Sequence, residues 1–230
     1  MQSIWTMKTL SYIGAAATGC ILCWHMSRPR SQPKPITWTC HCHRVQAHVQ
    51  FRSDHIPSAE CHCNDCIGFG NWTIEELKSP VNVLSNNGGP YMVQVFKDEF
   101  TFTKGAELIK RVKLTDKSFI QRMYTTCCHT SVGLVPTWQP YPMLVLYREN
   151  FQDIEFGTVW WRLYTERILS PELYERGEGR AIQSAQLAIS FIAFTLVRVL
   201  YGCVSGRNKP DPLSQVPQDI EIIQVSSKDK

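Results

Sequence analysis

The sequence has no acidic residue before Asp54, no long run of lysine and arginine, and no internal repeat. The basic residues of that acid-free stretch are Lys8, Arg28, Arg30, Lys34, Arg44 and Arg52. The net charge is only +4 and forms no continuous basic stripe, so nucleic-acid binding is not expected. With 230 residues and 43% apolar residues, the chain suits one packed domain with appendages at its ends.

Cysteine is abundant, and its spacing carries the main functional signal. Seven of the ten cysteines fall in three tight groups, namely Cys40 and Cys42, then Cys61, Cys63 and Cys66, then Cys127 and Cys128. Cysteines one to three positions apart are poor partners for an unstrained disulfide, whereas a local turn can direct their sulfurs at one ion. The spacing therefore favours metal thiolates in a reducing compartment over a disulfide framework.

Both ends of the chain contain apolar segments. Residues 9–26 lack charged side chains, apart from the titratable His25, and are about long enough for a bilayer, so a membrane anchor, a cleaved signal and an organelle-targeting segment are all open. A basic, proline-rich linker follows, and its charges favour a cytoplasm-facing domain. Residues 184–204 form an apolar helix that spans a membrane, lies in its interface or packs on the domain. Residues 206–230 resemble a mostly disordered tail.

The pattern divides the chain into three parts, with a zinc-binding domain at 36–165 between an anchor or targeting part at 1–35 and a C-terminal part at 166–230. Within the domain, short β-rich runs at 45–51, 91–96, 100–105, 108–114 and 143–147 alternate with glycine and proline turns, which predicts a mainly β fold. One helix is expected around residues 73–79. The cysteine groups are predicted at strand ends and turns.

Seven clustered thiols suggest one site of four ligands and one of three. Cys40 and Cys42 need a distant pair, which the Cys127–Cys128 region can supply, to complete a tetrahedral zinc site. Cys61, Cys63 and Cys66 can hold a second zinc with its fourth position free for a thiolate such as glutathione. The alternative is that both clusters only stabilise a small β domain. Further candidate ligands are His41, His43, His62 and His129.

These residues resemble the glutathione-dependent formaldehyde-activating enzyme family, which includes centromere protein V. The family pattern is C-x-C, then C-x-C-x-x-C about twenty residues later, then C-x-x-C. Cys40-His41-Cys42 and the 61–66 stretch match the first two elements, and the likeness runs from about Trp38 to Tyr147. It implies a Mss4-like fold of antiparallel sheets, a structural zinc on the outer pairs and a labile zinc on the middle trio. In the founding enzymes that labile metal serves the condensation of glutathione with formaldehyde to S-hydroxymethylglutathione, a carbon-sulfur lyase type of chemistry.

The third element departs from the family pattern. Aligned on C-x-x-C-G, Thr125 stands at the first cysteine, Cys128 at the second and His129 at the glycine. A threonine hydroxyl is a poor zinc ligand, so Cys127 takes its place only if a tight turn directs both neighbouring side chains at one ion. On an extended strand their side chains would point to opposite faces. This variant indicates a divergent member of the family.

Three functions follow from these residues. The first is a zinc-dependent, carbon-sulfur lyase-like enzyme acting on a glutathione adduct, with Cys61, Cys63 and Cys66 as the catalytic site and Asp65 as a candidate base. The second is a non-catalytic, membrane-associated zinc-binding module for protein partners. The third is a redox sensor built on Cys127 and Cys128.

Overall fold

The computed structural model describes residues 35–51, 56–138, 140–152, 154, 156, 159–165, 185–223 and 225, with helix side chains of the C-terminal part described from residue 191. The apolar segment at 9–26, its linker and residues 166–184 lie outside the described residues. The strands are β1 (Ile36–Thr39), β2 (Gln46–Val49), β3 (Ser58–Cys61), β4 (Tyr91–Phe96), β5 (Phe100–Lys104), β6 (Ile109–Lys113), β7 (Ile120–Thr125), β8 (Ser131–Pro136), β9 (Met143–Tyr147), β10 (Trp161–Leu163) and β11 (Ile220–Ile222). The α-helices are α1 (Asn64–Glu75) and α2 (Ala185–Val204).

The strands form two sheets, which confirms the mainly β prediction. Three strands pair in the order β1-β2-β5, and eight in the order β10-β3-β4-β9-β8-β7-β6-β11. All pairs are antiparallel except the two at the edges of the large sheet, where β10 runs parallel to β3 and β11 parallel to β6. A purely antiparallel arrangement was expected, and the chain departs from it where late segments add to the edges.

Two apolar cores lie on opposite faces of the large sheet, because side chains alternate along each strand. One core joins the two sheets through residues such as Trp38, Phe100 and Leu146. The other contains Phe69 of α1 stacked on Tyr147 of β9, with ring centroids 6.2 Å apart. The four-thiol group packs with the first core and the three-thiol group with the second, so the sheet separates them.

The first helix begins earlier than the sequence indicated. A helix was expected at 73–79, but α1 runs over Asn64–Glu75 and carries Cys66 in its first turn. The two glycines in this helix lower its intrinsic helix propensity. Tertiary packing determines where the helix forms instead. Phe69 is fully buried, and Trp72 contacts Tyr124 of β7 with ring centroids 5.6 Å apart.

Helix α2 packs on the domain, which is one of the three possibilities that its sequence left open. Arg198 is 5% exposed and lies 4.4 Å from the centroid of the Phe96 ring, and Phe194 packs against Trp161 with ring centroids 4.8 Å apart. Gly202 allows close approach to Pro142. Among the residues that the structure describes, no helix combines the length and apolar character needed to cross a bilayer.

The segment after α2 is ordered as far as Ile223, which corrects the expectation of a mostly disordered tail. Arg207 forms an ion pair with Asp98, and Lys97 forms one with Asp211 at 2.6 Å. A 3-10 helix over Pro212–Gln215 and then β11 follow. Ile223 reaches the second core at 5% exposure. These long-range contacts are invisible in the local composition on which the expectation rested.

Candidate metal centres

The structure brings the seven clustered cysteines together in the two predicted groups. The first group is Cys40, Cys42, Cys127 and Cys128, and the second is Cys61, Cys63 and Cys66. Within each group all sulfurs lie within 4.8 Å of one another, and all seven are free thiols. Both groups can therefore hold a metal ion.

The sulfurs of the first group are spaced as a tetrahedral metal site requires. The Cys42 sulfur lies 3.7 Å from that of Cys40 and 3.4 Å from that of Cys127. The Cys127 sulfur lies 3.8 Å from that of Cys40 and 3.9 Å from that of Cys128. A tetrahedron with Zn–S bonds of about 2.3 Å separates its sulfurs by about 3.8 Å. Four of the six sulfur separations are thus close to that value, and the other two are at most 4.8 Å.

Two similar turns present these thiols. At the end of β1, the backbone N–H of Val45 donates to the Cys40 sulfur at 3.3 Å, and His43 has a positive φ of 59°. Between β7 and β8, the N–H of Thr130 donates to the Thr125 hydroxyl at 3.1 Å, and His129 has a φ of 58°. The matching contacts between residues five apart make Thr125 the counterpart of Cys40, although the residue with positive φ comes three positions after Cys40 and four after Thr125.

This correspondence explains how adjacent Cys127 and Cys128 contribute together. Each stands in the turn after β7 rather than on a strand, so the two side chains are not forced to opposite faces. The Thr125 hydroxyl does not join the group as a ligand but lies 3.5 Å from the Cys128 sulfur, and the Thr130 hydroxyl lies 3.1 Å from it. Thr125 thus supports a ligand instead of being one.

Electrostatics differ among the four thiols. Burial raises the pKa of Cys40 to about 12. Burial also opposes ionisation of Cys128, but the hydroxyls of Thr125 and Thr130, together with backbone hydrogen bonds at Cys42 and Thr130, outweigh it and lower the pKa to about 5. The Arg44 guanidinium donates to the Cys127 carbonyl at 3.1 Å and brings positive charge to the rim of the group. The contacts therefore favour the thiolate form of Cys128, and those of Arg44 favour the thiolate form of Cys42 against the effect of burial, whereas burial raises the pKa of Cys127.

The second group joins a strand end to a helix start. Cys61 ends β3, Cys63 is the N-cap of α1, and Cys66 lies in its first turn. The N-terminus of a helix favours negative charge, including thiolates. Contacts with the other two thiols lower the pKa of Cys63 to about 2, with help from the positive charge of Arg122 and against the effect of burial. No fourth His, Cys, Asp or Glu of the described chain joins this group.

Two buried hydrogen-bond donors adjoin the three-thiol group. Arg122 of β7 is 2% exposed, and its Nε and Nη1 have no hydrogen-bond partner among the described residues. Its Nη2 lies 3.5 Å from the carboxylate of Asp65, which is 63% exposed. Tyr147 is fully buried and its hydroxyl is likewise unpartnered within that part of the chain. Burial foremost, and then the neighbouring thiols, raise the pKa of Tyr147, so it keeps its proton at neutral pH.

A buried polar network supports the strand that carries Cys61. Glu60 is fully buried and accepts hydrogen bonds from Arg162 Nε at 2.7 Å, from the Ser85 hydroxyl at 2.5 Å and from the Asn87 amide at 3.2 Å. Burial opposes its ionisation, but His62, the Ser85 hydroxyl and Arg162 lower its pKa. Arg162 lies opposite Glu60 in the β10–β3 register, so the ion pair joins the edge strand to the site.

The histidines named as alternative ligands lie outside both groups. His129 Nδ1 contacts the Leu77 carbonyl at 2.5 Å, and His43 Nδ1 lies 3.3 Å from the Thr39 hydroxyl. His62 is fully buried with its Nε2 3.7 Å from Glu60. Gly89 makes room for it, because a Cβ there would lie 2.9 Å from the His62 ring and 2.7 Å from the Cys61 carbonyl.

Sequence reasoning missed Arg122, Tyr147 and the Glu60–Arg162 pair. The available signal was weak: an arginine at the centre of the apolar-rich stretch "IQRMYT" interrupts a strand pattern, and buried arginines are rarely unpaired. The pairing of Glu60 with a residue 102 positions later leaves no local trace.

Comparisons with known proteins give a family but no activity. No curated protein matches the chain. A crystal structure of a Rhodobacter sphaeroides protein is similar over 55% of this chain and 98% of its own, with 12% identity and a TM-score of 0.38, a likeness too slight to carry an argument. A family described as "Family of unknown function (DUF6151)" matches residues 32–223. Because this match covers most of the 230 residues, the chain belongs to the DUF6151 family.

Proposed function

We propose that this protein binds two zinc ions and uses the second to act on a thiolate substrate of the glutathione-adduct class. In this proposal Cys40, Cys42, Cys127 and Cys128 hold a structural zinc. Cys61, Cys63 and Cys66 hold a labile one. The single observation that carries the proposal is the trio of sulfurs with no fourth protein ligand among the described residues. A catalytic zinc site keeps such a position for substrate, whereas a structural site fills it.

The ligand chemistry supports zinc as the metal. All seven candidate ligands are thiols, and sulfur-only sets select zinc, copper(I) or iron–sulfur clusters over hard cations such as magnesium. Tetrahedral spacing in the first group favours zinc. The turns that carry Cys40 and Cys127, at the ends of two hairpins, are also consistent with the Mss4-like fold that the resemblance implies.

The surroundings of the trio favour an anionic fourth ligand. Three thiolates around a divalent ion carry a net charge of about −1, and a substrate thiolate makes it about −2. The buried guanidinium of Arg122 offsets part of that charge, and its unpartnered Nε and Nη1 can donate to the incoming group. The protonated hydroxyl of Tyr147 adds a third donor.

The chemistry proposed is the reversible making and breaking of a carbon–sulfur bond, as in S-hydroxymethylglutathione. When bound, zinc would keep the substrate sulfur as a thiolate at neutral pH. In the cleavage direction the hydroxyl proton leaves, a C=O bond forms and the C–S electron pair returns to sulfur. Asp65 is exposed at the same edge and paired with Arg122, and we assign its carboxylate as the acceptor of this proton. Arg122 and Tyr147 hold the sulfur end in place.

The test is a zinc count on the full chain during chelator titration, with and without glutathione. We expect two zinc ions, one of which is removed readily and is protected or displaced by glutathione. Cys63→Ser should abolish only the labile ion, and Cys42→Ser, its matched variant in the other group, should affect the tight ion. Glutathione-dependent formaldehyde turnover should fall with Cys63→Ser.

The competing function is a non-catalytic zinc-binding module that serves protein partners. It is favoured by the burial of Cys61 and Cys66, which are 5% and 6% exposed. Two zinc ions that resist chelation equally and never respond to glutathione would establish this module and refute the enzyme.

A further inference from the structure

A cavity of about 290 Å³ lies on the face of the large sheet opposite the three-thiol group. Its floor is formed by β6, β7 and β8, and its cover by the segment after α2. The residues that line it are Lys97, Arg111, Gln121, Val135, Pro136, Thr137, Trp138, Asp211, Leu213, Ser214 and Gln218. No cysteine is among them, so the cavity is separate from both candidate metal centres.

Strand alternation explains the separation. Gln121 and Arg122 are neighbours on β7 and point to opposite faces, one to the cavity and the other to the three-thiol group. Gln121 lies directly opposite Val135 in the β7–β8 register, and Arg111 lies opposite Met123, so these side chains share one face.

Two buried polar groups in the cavity wall lack partners. Arg111 is 4% exposed, and its Nη2 donates to the Leu213 carbonyl at 2.6 Å, but its Nε has no partner in the described chain. Gln121 is 6% exposed, and its Oε1 also has no hydrogen-bond partner among the described residues. Each unsatisfied buried group is costly, so the pair indicates a ligand that accepts from one and donates to the other.

The charges in the cavity favour an anion. Lys97 and Asp211 neutralise each other in an ion pair at 2.6 Å. Arg111 forms no ion pair within the described residues, and Asp211 and Asp219 only attract its positive charge through space. Val135 and Leu213 provide an apolar surface beside it, and the Trp138 ring is 52% exposed at the edge.

We propose that this cavity is a binding site for a small carboxylate that also carries a hydroxyl or amino group. The carboxylate accepts from Arg111 Nε, the hydroxyl or amino group donates to Gln121 Oε1, and the hydrocarbon part lies against Val135 and Leu213. If each non-hydrogen atom occupies roughly the 30 Å³ of a water molecule, the volume suits a ligand of about ten such atoms. The site is independent of the zinc function proposed above.

The test is calorimetric titration of the full chain with lactate, serine, leucine and mandelate, and with serinamide and propionate as controls. We expect at least one 2-hydroxy or 2-amino carboxylate to bind saturably. Serinamide, which lacks the carboxylate, and propionate, which lacks the second polar group, should bind at least about tenfold more weakly.

Variants assign the binding to the cavity. Arg111→Met and Gln121→Met should each weaken it about tenfold or more, while Lys110→Met, a charge loss at the next position of β6, should leave it unchanged. Since Arg111 also holds Leu213, Ser214→Phe provides a second test that fills the cavity from an exposed position. Failure of all four probes to bind, or binding that survives all three cavity variants, would overturn the proposal. Zinc content should stay the same throughout, which distinguishes this result from failure of the zinc function.

Discussion

Replacing Arg162 by leucine should destabilise the protein far more than removal of an exposed ion pair. The Arg162 Nε lies 2.7 Å from Glu60, whose side chain is fully buried, and the two residues face each other across the β10–β3 pair. Arg162→Leu leaves a carboxylate inside the protein with only the neutral donors of Ser85 and Asn87 and the ring of His62. The matched control is Lys110→Met, since the ion pair of Lys110 with Glu221 is 35% and 49% exposed.

The expected losses of folding stability differ clearly between Arg162→Leu and Lys110→Met. Breaking a buried ion pair by removing one partner costs about 3–5 kcal/mol, whereas an exposed pair contributes about 0–1 kcal/mol. In a chain of this size 1 kcal/mol lowers Tm by about 2–4 °C. Arg162→Leu should therefore lower Tm by roughly 6–20 °C, and Lys110→Met by less than about 4 °C.

The measurement is thermal unfolding followed by circular dichroism, with Glu60→Leu and the double variant completing a mutant cycle. The double variant should be more stable than Arg162→Leu alone, because no charge is left buried. Equal Tm losses for Arg162→Leu and Lys110→Met would refute the buried-charge argument. Since Glu60 precedes Cys61, a metal held by the three-thiol group should be released by chelator sooner in Arg162→Leu than in the wild type, whereas one held by the four-thiol group should be unaffected.

Three further predictions concern the site and the C-terminal helix. Gly89→Ala should lower Tm and the metal content of the three-thiol group, because the new Cβ would lie 2.7 Å from the Cys61 carbonyl. Gly206→Ala is the control for zinc counting, because its φ of 71° strains alanine and lowers Tm although the new Cβ meets nothing within 4 Å. The pKa of Glu60 is lowered from 4.5 by folding, so its stabilisation is complete above that value and is lost as the pH falls toward the folded pKa. Urea unfolding should accordingly show the stability difference between wild type and Glu60→Gln shrinking from pH 6 to pH 3.5; a constant difference would contradict this. Gly202→Leu should detach α2, because a Cβ there already comes within 2.6 Å of Pro142, and should raise proteolysis near residue 202; unchanged cleavage would refute the packing role.

The strands that were predicted well from the sequence are those determined by local residue pattern. The runs at 91–96 and 143–147 coincide with β4 and β9 because turn residues bound both and each has a strong β propensity. The grouping of the cysteines was also predictable, because spacing gives groups of two, three and two, and a tetrahedral site needs four ligands from the two outer pairs.

The parts that sequence reasoning missed depend on distant partners. Helix α1 starts at Asn64 because Phe69 and Trp72 pack on Tyr147 and Tyr124 of the sheet, not because of local propensity. Strand β11 pairs with β6 more than a hundred residues earlier, and Arg122 meets the trio only once β7 lies beside α1. Contacts between residues so far apart in the chain cannot be predicted from the local sequence pattern.

The two cysteine groups differ in the charge that surrounds them, and this argues for different roles. The four-thiol group has Arg44 at its rim, where water screens the charge. The three-thiol group has the buried Arg122, two of whose nitrogens are unpartnered within the described residues. A structural site gains from the charge of Arg122, which favours the Cys63 thiolate, but it leaves these two donors unsatisfied at a cost of about 1–3 kcal/mol each. An anionic sulfur ligand would satisfy them. Arg122→Met should therefore weaken glutathione binding about tenfold or more while the zinc content stays at two. Loss of zinc and of glutathione binding together would instead make Arg122 part of the metal scaffold.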